Sequence, residues 1–413
     1  MLLFTPILVA LAAQTAGTDF DLSNPNHWDG LGMSVFFLDD INGDGVAEFG
    51  SSAFCSDHQG NNSGSVYIYD GATQALIRRH DGPSPRARLG EYATSTGDFN
   101  GDGYRDYAAG ARNAHFGATE GGSVYIWSGK TGNLMHRIDG TVPYAAFGLR
   151  LTSVPDVNGD GVHDLLVAAP EEQFFRGAVY LYSGTDGSLI ASKQGQTSYA
   201  RFGTSMSAIG DVTGDGIPEI IIGAPFAANE RGEVVIVRGQ DLQPISHVRG
   251  SRPLTRFGFT VKGAGDVNGD GLRDVLIGEP CSDLVWVFTP TTRTIIRRHQ
   301  GPAGAAKAGY GHALSRAGDI NQDGHPDYLL GHPGEWENQN LHNPGGGAEI
   351  FSGKDGTVLA SFPPNEGDDG FGWSVAYSPS STAGQVKVLI GSPAGGDLPG
   401  RHAPGIISGR VIP

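Results

Sequence analysis

The stretch Asp156-Val157-Asn158-Gly159-Asp160-Gly161-Val162-His163-Asp164 decides how this chain folds, because the sequence contains six copies of its pattern. Each copy places oxygen-bearing side chains at positions one, three, five and nine, and glycine at position six. One short loop with that pattern supplies the hard oxygen ligands that Ca²⁺ requires. We interpret each copy as a structural calcium loop; the competing interpretation is a plain acidic turn.

Six loops with four ligand positions each predict up to six bound Ca²⁺ ions. Thr213 replaces the usual asparagine in the fourth loop and Gln322 replaces a glycine in the sixth, so we expect these two sites to be the weaker ones. The predicted metal ligands are Asp40, Asn42, Asp44, Glu48, Asp98, Asn100, Asp102, Asp106, Asp156, Asn158, Asp160, Asp164, Asp211, Thr213, Asp215, Glu219, Asp266, Asn268, Asp270, Asp274, Asp319, Asn321, Asp323 and Asp327.

The residues that flank the loops repeat in the same register. An aromatic residue or leucine followed by glycine lies nine residues before each loop, as in Phe147-Gly148, and a small-residue element such as Gly223-Ala224-Pro225 follows each loop. Repeats therefore start near 31, 89, 147, 202, 257, 310 and 371. The seventh has no acidic loop, and residues 378 to 385 stand in its place. Residues 17–413 are predicted to form one domain of seven repeats.

Each repeat reads as four short strands. A near-continuous apolar run such as Glu219 to Gly223 follows the acidic loop and indicates a strand buried on both faces. Alternating runs such as Val124 to Trp127 and turn signals complete the unit. Four strands in each of seven units predict an all-β fold, a seven-bladed β-propeller. In the last unit both Ile406 and Arg410 fit as the start of the third strand.

The two ends of the chain are predicted to close the ring. Phe20-Asp21-Leu22 alternates like an outer strand, whereas the last unit ends before supplying one. Pairing the N-terminal strand with the last blade would remove two exposed sheet edges.

Composition limits the function classes. The formal charge is −16, and 18 of the 44 acidic residues lie in the six loops, so six Ca²⁺ ions would leave about −4. No basic cluster suggests nucleic acid. Residues 1–16 contain an apolar run with small residues near its end, which predicts a signal peptide and a secreted or extracytoplasmic protein. No later segment is long and apolar enough to insert into a membrane.

The search for other chemistry is negative. An EF-hand needs an acidic residue at position twelve, where these loops have residues such as Val167 and Ile222. Histidines show no zinc spacing, and we find no nucleophile motif. Cys55 and Cys281 lie in opposite parts of the predicted ring, so we expect no disulfide between them. The sequence therefore predicts no catalytic residues and no enzyme.

These motifs resemble the FG-GAP repeat family, which builds the seven-bladed propeller of integrin alpha subunits and of many secreted bacterial proteins. The resemblance covers residues 20 to 413 and rests on Phe147-Gly148, Gly223-Ala224-Pro225 and the acidic loops. It implies the propeller fold, calcium, and a role in adhesion or recognition. The chain departs from integrins in carrying acidic loops in repeats one to six, because integrin alpha chains usually carry them only in later blades.

Two functional hypotheses follow. The first is a secreted, calcium-binding recognition module for an extracellular protein or glycan; the alternative is a propeller enzyme acting on an extracellular polymer such as a polysaccharide. Loops opposite the acidic turns vary in length, and binding residues concentrate on such loops. Packing beneath the loops is the competing role for these side chains. The predicted ligand-face residues are Tyr144, Tyr199, Arg201, Arg256 and Trp336.

Overall fold

The computed structural model describes residues 19–23, 29–301, 308–334, 346–364, 370–378, 386–393 and 406–412. Seven four-stranded antiparallel sheets form a ring, which confirms the seven-bladed β-propeller. The predicted signal peptide lies outside the described residues.

The first four blades follow one another along the chain after strand β1 (Phe20–Ser23). Blade one contains β2 (Val35–Phe37), β3 (Phe49–Ala53), β4 (Ser65–Tyr69) and β5 (Leu76–Asp81). Blade two contains β6 (Leu89–Ser95), β7 (Tyr107–Ala111), β8 (Ser123–Trp127) and β9 (Leu134–Asp139). Blade three contains β10 (Arg150–Val154), β11 (Asp164–Ala169), β12 (Ala178–Tyr182) and β13 (Leu189–Gln194). Blade four contains β14 (Ser205–Gly210), β15 (Glu219–Ala224), β16 (Glu233–Val237) and β17 (Pro244–Arg249).

The remaining three blades complete the ring. Blade five contains β18 (Thr260–Gly265), β19 (Asp274–Glu279), β20 (Leu284–Thr289) and β21 (Thr294–Gln300). Blade six contains β22 (Ala313–Gly318), β23 (Asp327–His332), β24 (Gly347–Phe351) and β25 (Val358–Phe362). Blade seven contains β26 (Ser374–Tyr377), β27 (Val386–Ser392) and β28 (Ile406–Val411), with β1 as its outer strand. Short helical segments are α1 (Glu172–Phe175), α2 (Ala227–Glu230) and the 3-10 turn Pro280–Ser282.

Strand β1 closes the ring as predicted. It pairs antiparallel with β28, with Phe20 opposite Gly409 and Ser23 opposite Ile406. Phe20 is buried and stacks on Phe49 of blade one, with ring centroids 5.2 Å apart. The register also settles the open choice in blade seven, because its third strand begins at Ile406.

Two repeated contacts join neighbouring blades. Rings of the Phe-Gly pairs are buried; Phe147, for example, packs between side chains of blades two and three. The glycine of that pair lies so close to the preceding blade that a Cβ on Gly110 of blade two would be 1.9 Å from the Gly148 carbonyl oxygen. A Cβ on Gly391 would likewise lie 2.0 Å from the Gly32 carbonyl oxygen. The same contact therefore joins blade seven to blade one.

The two ends of the propeller carry different loops. The acidic-loop face carries the turns that join the first and second strands of blades one to six. The opposite face carries the loops that join the second and third strands and those that join successive blades. Loops of the opposite face hydrogen-bond across blades, since Tyr199 donates its backbone N–H to the Phe174 carbonyl at 3.1 Å.

Candidate functional site

The acidic loops share one backbone geometry. In the third loop the Asp156 carboxylate accepts the N–H groups of Gly159 at 2.6 Å and Gly161 at 2.8 Å. These glycines have φ of 82° and 87°, in the left-handed region that favours glycine. Open space surrounds both, so backbone conformation and not crowding demands glycine here.

The position-nine carboxylates are buried behind the loops. In the third loop Asp164 accepts the Val157 N–H at 2.9 Å through one oxygen and the Gly184 N–H at 3.3 Å through the other. The equivalent residue of the second loop, Asp106, likewise accepts N–H groups from its own loop and from the neighbouring turn. In the second and third loops, position nine thus ties the acidic loop to the turn between the third and fourth strands.

Burial makes these carboxylates resist ionisation. It raises the pKa of Asp106, Asp164 and Asp274 to about 6, and neighbouring loop aspartates add to the shift. For Glu48 in the first loop, burial first and then the charges of nearby aspartates raise the pKa to about 7. A bound divalent cation would stabilise the ionised form of every one of these groups.

The first loop fits a cation best. Ligand oxygens of Asp40, Asp44 and Glu48 all lie within 4.8 Å of one another, and the described residues contain no other such group of three acidic, histidine or cysteine side chains. Glu48 Oε2 accepts the Ile41 N–H at 2.6 Å, whereas Oε1 is buried without a hydrogen-bond partner. A buried oxygen left without a donor in a ring of carboxylates fits a divalent cation such as Ca²⁺.

The fourth and sixth loops depart from the others where the sequence does. Thr213 donates its hydroxyl to Glu219 Oε1 at 3.3 Å, so this glutamate has no orphaned oxygen. Gln322 adopts φ of 59°, a left-handed conformation that costs a non-glycine residue energy. The six predicted metal sites therefore share a similar loop backbone. They differ in whether the carboxylate oxygens already accept hydrogen bonds or are available to bind a metal.

The opposite face exposes large apolar side chains from blades three to five. Tyr144, Phe174, Tyr199 and Leu254 are 62%, 79%, 65% and 63% exposed. All four have positive φ, between 56° and 63°. Bulky residues rarely adopt this conformation, and strained residues concentrate at functional sites. We call these four residues the apolar ladder.

Sequence reasoning named only part of the ladder as ligand-face residues. Tyr144, Tyr199 and Leu254 each lie three residues before a Phe-Gly pair. Leu254 was missed, although aligning the repeats at this position would have found it. Phe174 lies between β11 and β12, in one of the opposite-face loops of variable length where we expected binding residues.

The two predicted arginines of the ligand face have a packing role. Arg201 lies between the rings of Phe175 and Phe226, at 5.0 and 5.1 Å from their centroids. Arg256 lies 5.0 Å from the Phe226 centroid and donates to Glu230 at 2.8 Å. They hold the loops beneath the apolar ladder. Trp336, the fifth predicted residue, lies outside the described residues.

A central channel of about 300 Å³ opens between the inner strands. Its wall includes Glu91, Tyr92, Arg150 and His312 near the opposite face. The Arg150 guanidinium lies 5.1 Å from the Tyr92 ring centroid, and its charge contributes to lowering the pKa of His312, which burial brings to about 4. Glu91 forms an ion pair with Arg112 at 3.0 Å. The fold therefore assembles titratable groups that the sequence places in different repeats.

Two other sequence expectations have structural outcomes. No disulfide joins Cys55 and Cys281, as predicted. None of the helices in the described part of the chain has the length and apolar character needed to span a bilayer.

Comparison with known proteins agrees with the fold. Residues 156–222 and 266–330 match the FG-GAP-like repeat, and residues 92–127 match the FG-GAP repeat. Integrin alpha-V of Gallus gallus is 31% identical over 206 residues, 45% of this chain and 20% of that protein. Integrin alpha-8 of Mus musculus is 32% identical over 207 residues, 45% of this chain and 19% of that protein.

A more distant animal lineage gives the same result. Integrin alpha-PS2 of Drosophila melanogaster is 31% identical over 224 residues, 48% of this chain and 16% of that protein. The chain spans about a fifth of the length of the curated relatives it matches. Together, the repeat matches, these relatives and the seven-bladed ring support an integrin-alpha-like propeller that contains FG-GAP repeats.

Proposed function

We propose that this propeller is a secreted recognition module that binds an extracellular protein through the apolar ladder, on a ring stabilised by calcium. The observation that carries the proposal is the exposure of Tyr144, Phe174, Tyr199 and Leu254 on one face with strained backbone. Large apolar side chains in one area of a surface are typical of binding sites. The similarity to integrin alpha chains supports an adhesion or recognition role.

Calcium has a structural part in this proposal. The acidic loops lie on the face away from the ladder, so their ions would fix the blades without touching the partner. Asp40, Asp44 and Glu48 would hold the ion of the first loop, and the equivalent predicted ligands would hold the others. A bound ion supplies positive charge that lets the buried position-nine carboxylates ionise.

The test measures binding with a matched surface variant. Extracellular protein and glycan arrays probed with the full chain in calcium identify a ligand, and its affinity is then measured for Phe174→Ser and Tyr199→Ser. We expect each substitution to weaken binding at least tenfold, because exposed aromatics dominate such interfaces. Leu189→Ser, which alters a 54% exposed apolar residue on the outer strand β13, serves as the control.

The control decides which surface is used. Unchanged affinity in both ladder variants, or an equal loss in Leu189→Ser, would contradict the assignment. A ligand found only on the glycan array would keep the surface but change the partner class.

An enzyme acting on an extracellular polymer is the second candidate function. It is favoured by the grouping of Glu91, Tyr92, Arg150 and His312 at one mouth of the channel. Glycoside hydrolysis uses two carboxylates, and Glu91 is the one carboxylate among the described residues of the channel wall. Because a second carboxylate is not found among the described wall residues, catalysis would depend on proton transfer by Tyr92 or His312. Release of new chain ends from a polysaccharide by the parent, but not by Tyr92→Phe, would support this function over simple recognition.

A further inference from the structure

A buried histidine joins the outer strand of blade five to blade six. His299 of β21 is 8% exposed, and its Nε2 lies 2.6 Å from the hydroxyl of Tyr328 in β23. The imidazole packs on Phe351 of β24, with ring centroids 4.2 Å apart. Arg297 donates to the same hydroxyl at 3.2 Å and to the Gly353 carbonyl at 2.9 Å. We call this contact between an arginine, a histidine and the facing tyrosine a latch.

A second latch joins blades one and two. The Nε2 of His80 in β5 lies 2.7 Å from the hydroxyl of Tyr107 in β7, and its ring stacks on Trp127 with centroids 4.6 Å apart. Arg78 donates to the Gly129 carbonyl in the turn between the third and fourth strands of blade two. The two latches therefore place the same residue types at the same positions of the repeat.

The three seams between blades two and five have neither the histidine nor the tyrosine. The residue that directly follows position nine of the acidic loop is aliphatic there, namely Leu165, Ile220 and Val275. The positions that pair with the third strand as His80 and His299 do are occupied by Ile138, Lys193 and Val248. Histidine and tyrosine thus occur together, and the latches divide the ring into blades two to five and blades six, seven and one.

The hydrogen bonds at the second of these seams fix the protonation of His299. A guanidinium can only donate, so the Tyr328 oxygen accepts from Arg297 and is free to direct its own hydrogen to His299 Nε2. The imidazole that accepts this hydrogen is neutral. A proton added at Nε2 would oppose the hydroxyl hydrogen and would lie beside the charge of Arg297. Arg297 and Tyr328 are the charged and titratable groups that face the ring among the described residues.

The closed latches therefore disfavour the charged form of both histidines. Burial and then the charge of Arg297 lower the pKa of His299 to about 4. Burial and then Arg78 lower the pKa of His80 to about 4, with Asp81 acting in the opposite direction. An open seam restores the ordinary pKa of about 6.5. Because the open form then binds protons that the closed form does not, the closed form loses stability as the pH falls from about 6.5 to about 4.

We propose that the two latches are an acid-sensitive switch, in which protonation of His80 and His299 loosens the ring at the seams between blades one and two and between blades five and six. At neutral pH both seams are closed. In mild acid the unit of blades two to five separates from the unit of blades six, seven and one. The apolar ladder belongs to the first unit. Nothing in the proposed recognition function requires the switch, so the two proposals stand or fall separately.

The first experiment follows unfolding of the full chain from about pH 7.5 to about pH 4.5 at constant calcium and ionic strength. The parent is compared with the double variant His80→Gln/His299→Gln, because glutamine keeps an acceptor for the tyrosine hydroxyl but takes up no proton. At about pH 5 we expect each histidine to make the parent lose about tenfold more in its folding equilibrium constant than the variant loses, relative to neutral pH. The acidic loops are the same in both proteins, so their titration contributes equally to both curves.

Controls separate the latches from other histidines and from a folding defect. His247→Gln, on the outer strand β17 of blade four, should show the acid response of the parent. If the double variant does not fold, each single variant should remove part of the response. Acid responses that coincide in the parent and in the latch variants, or an equal loss of response in His247→Gln, would overturn the proposal.

The second experiment reports on one seam in the folded protein. Trp127 stacks on His80, so its fluorescence senses the latch between blades one and two. The difference in emission between the parent and Trp127→Phe isolates that signal, at a temperature where circular dichroism shows that the chain is folded. We expect the difference to change between about pH 6.5 and about pH 4 and to be constant when both proteins also carry His80→Gln. A signal that is independent of pH in the parent would contradict opening at this seam.

Discussion

At the scale of single residues, Glu48 distinguishes the first loop from the other five. Asp106 and Asp164 use both carboxylate oxygens for backbone N–H groups, and Glu219 receives the Thr213 hydroxyl. Glu48 has one oxygen satisfied and one buried oxygen without a donor. That oxygen gains the most from a metal, because a buried acceptor without a partner is costly.

The first prediction is that Glu48→Gln weakens calcium binding at the first loop at least tenfold, about 1.4 kcal/mol or more. The amide keeps the size of the side chain but removes one of three negative ligands. Calcium titration by calorimetry measures the loss as one fewer tight site. Glu120→Gln, on the opposite face, is the control, and equal titration curves for Glu48→Gln and the parent would contradict the prediction.

At the scale of elements, the contact between successive blades explains why glycine recurs at two positions of the repeat. Gly223 lies one residue before the end of the buried strand β15, and a Cβ there would lie 2.1 Å from the Gly258 carbonyl oxygen of the next blade. The obstructing atom belongs to backbone, which cannot turn aside as a side chain can. The close approach lets the buried Phe-Gly rings fill the space between sheets.

The second prediction is that Gly223→Ala destabilises the protein by about 1–3 kcal/mol or more through overpacking. Gly187→Ala is the matched control: its φ of 73° imposes left-handed strain of about 1 kcal/mol, but its Cβ would meet nothing nearer than 3.5 Å. Chemical denaturation of both variants measures the difference. If Gly187→Ala destabilises the protein more than Gly223→Ala does, backbone strain costs more than the contact between blades, and the prediction is wrong.

At the scale of the whole molecule, the acidic loops and the channel place opposite charges in different parts of one ring. Eighteen acidic side chains occupy the acidic-loop face, and burial raises the pKa of their position-nine members. Meanwhile Lys262 and Arg150 face the channel. The ring therefore has reason to take up cations on its acidic-loop face.

The third prediction is that removing calcium lowers the melting temperature of the entire propeller. Without metal, three carboxylates crowd each of six turns, and a ligand that binds only the folded state stabilises it in proportion to RT ln(1 + [L]/Kd). With sites of about 10⁻⁴ to 10⁻³ M, the effect should develop across millimolar calcium. Calorimetry with and without a chelator measures it, and matched magnesium is the control. Superimposable unfolding curves would refute a structural role for calcium.

The sequence determined the number of blades, their strands and the closure of the ring, because those features depend on local patterns. Acidic loops, Phe-Gly pairs and alternating runs recur in fixed register, and each describes one turn or one strand by itself. Phe20 to Leu22 could be assigned to blade seven because only that blade lacked an outer strand. The candidate calcium ligands follow from the same local spacing.

Only the tertiary structure determined which side chains of neighbouring blades contact one another. It showed that Arg201 packs between two rings and Arg256 against one, while Phe174 and Leu254 are exposed. This distinction depends on contacts between loops of different repeats. It also brought Tyr92, Arg150 and His312, which belong to three different blades, to the wall of one channel. A repeat pattern specifies which residues each blade contains. The surroundings of a side chain that lies between two blades depend on the residues of both blades, and only the closed ring determines which residues of the two blades meet.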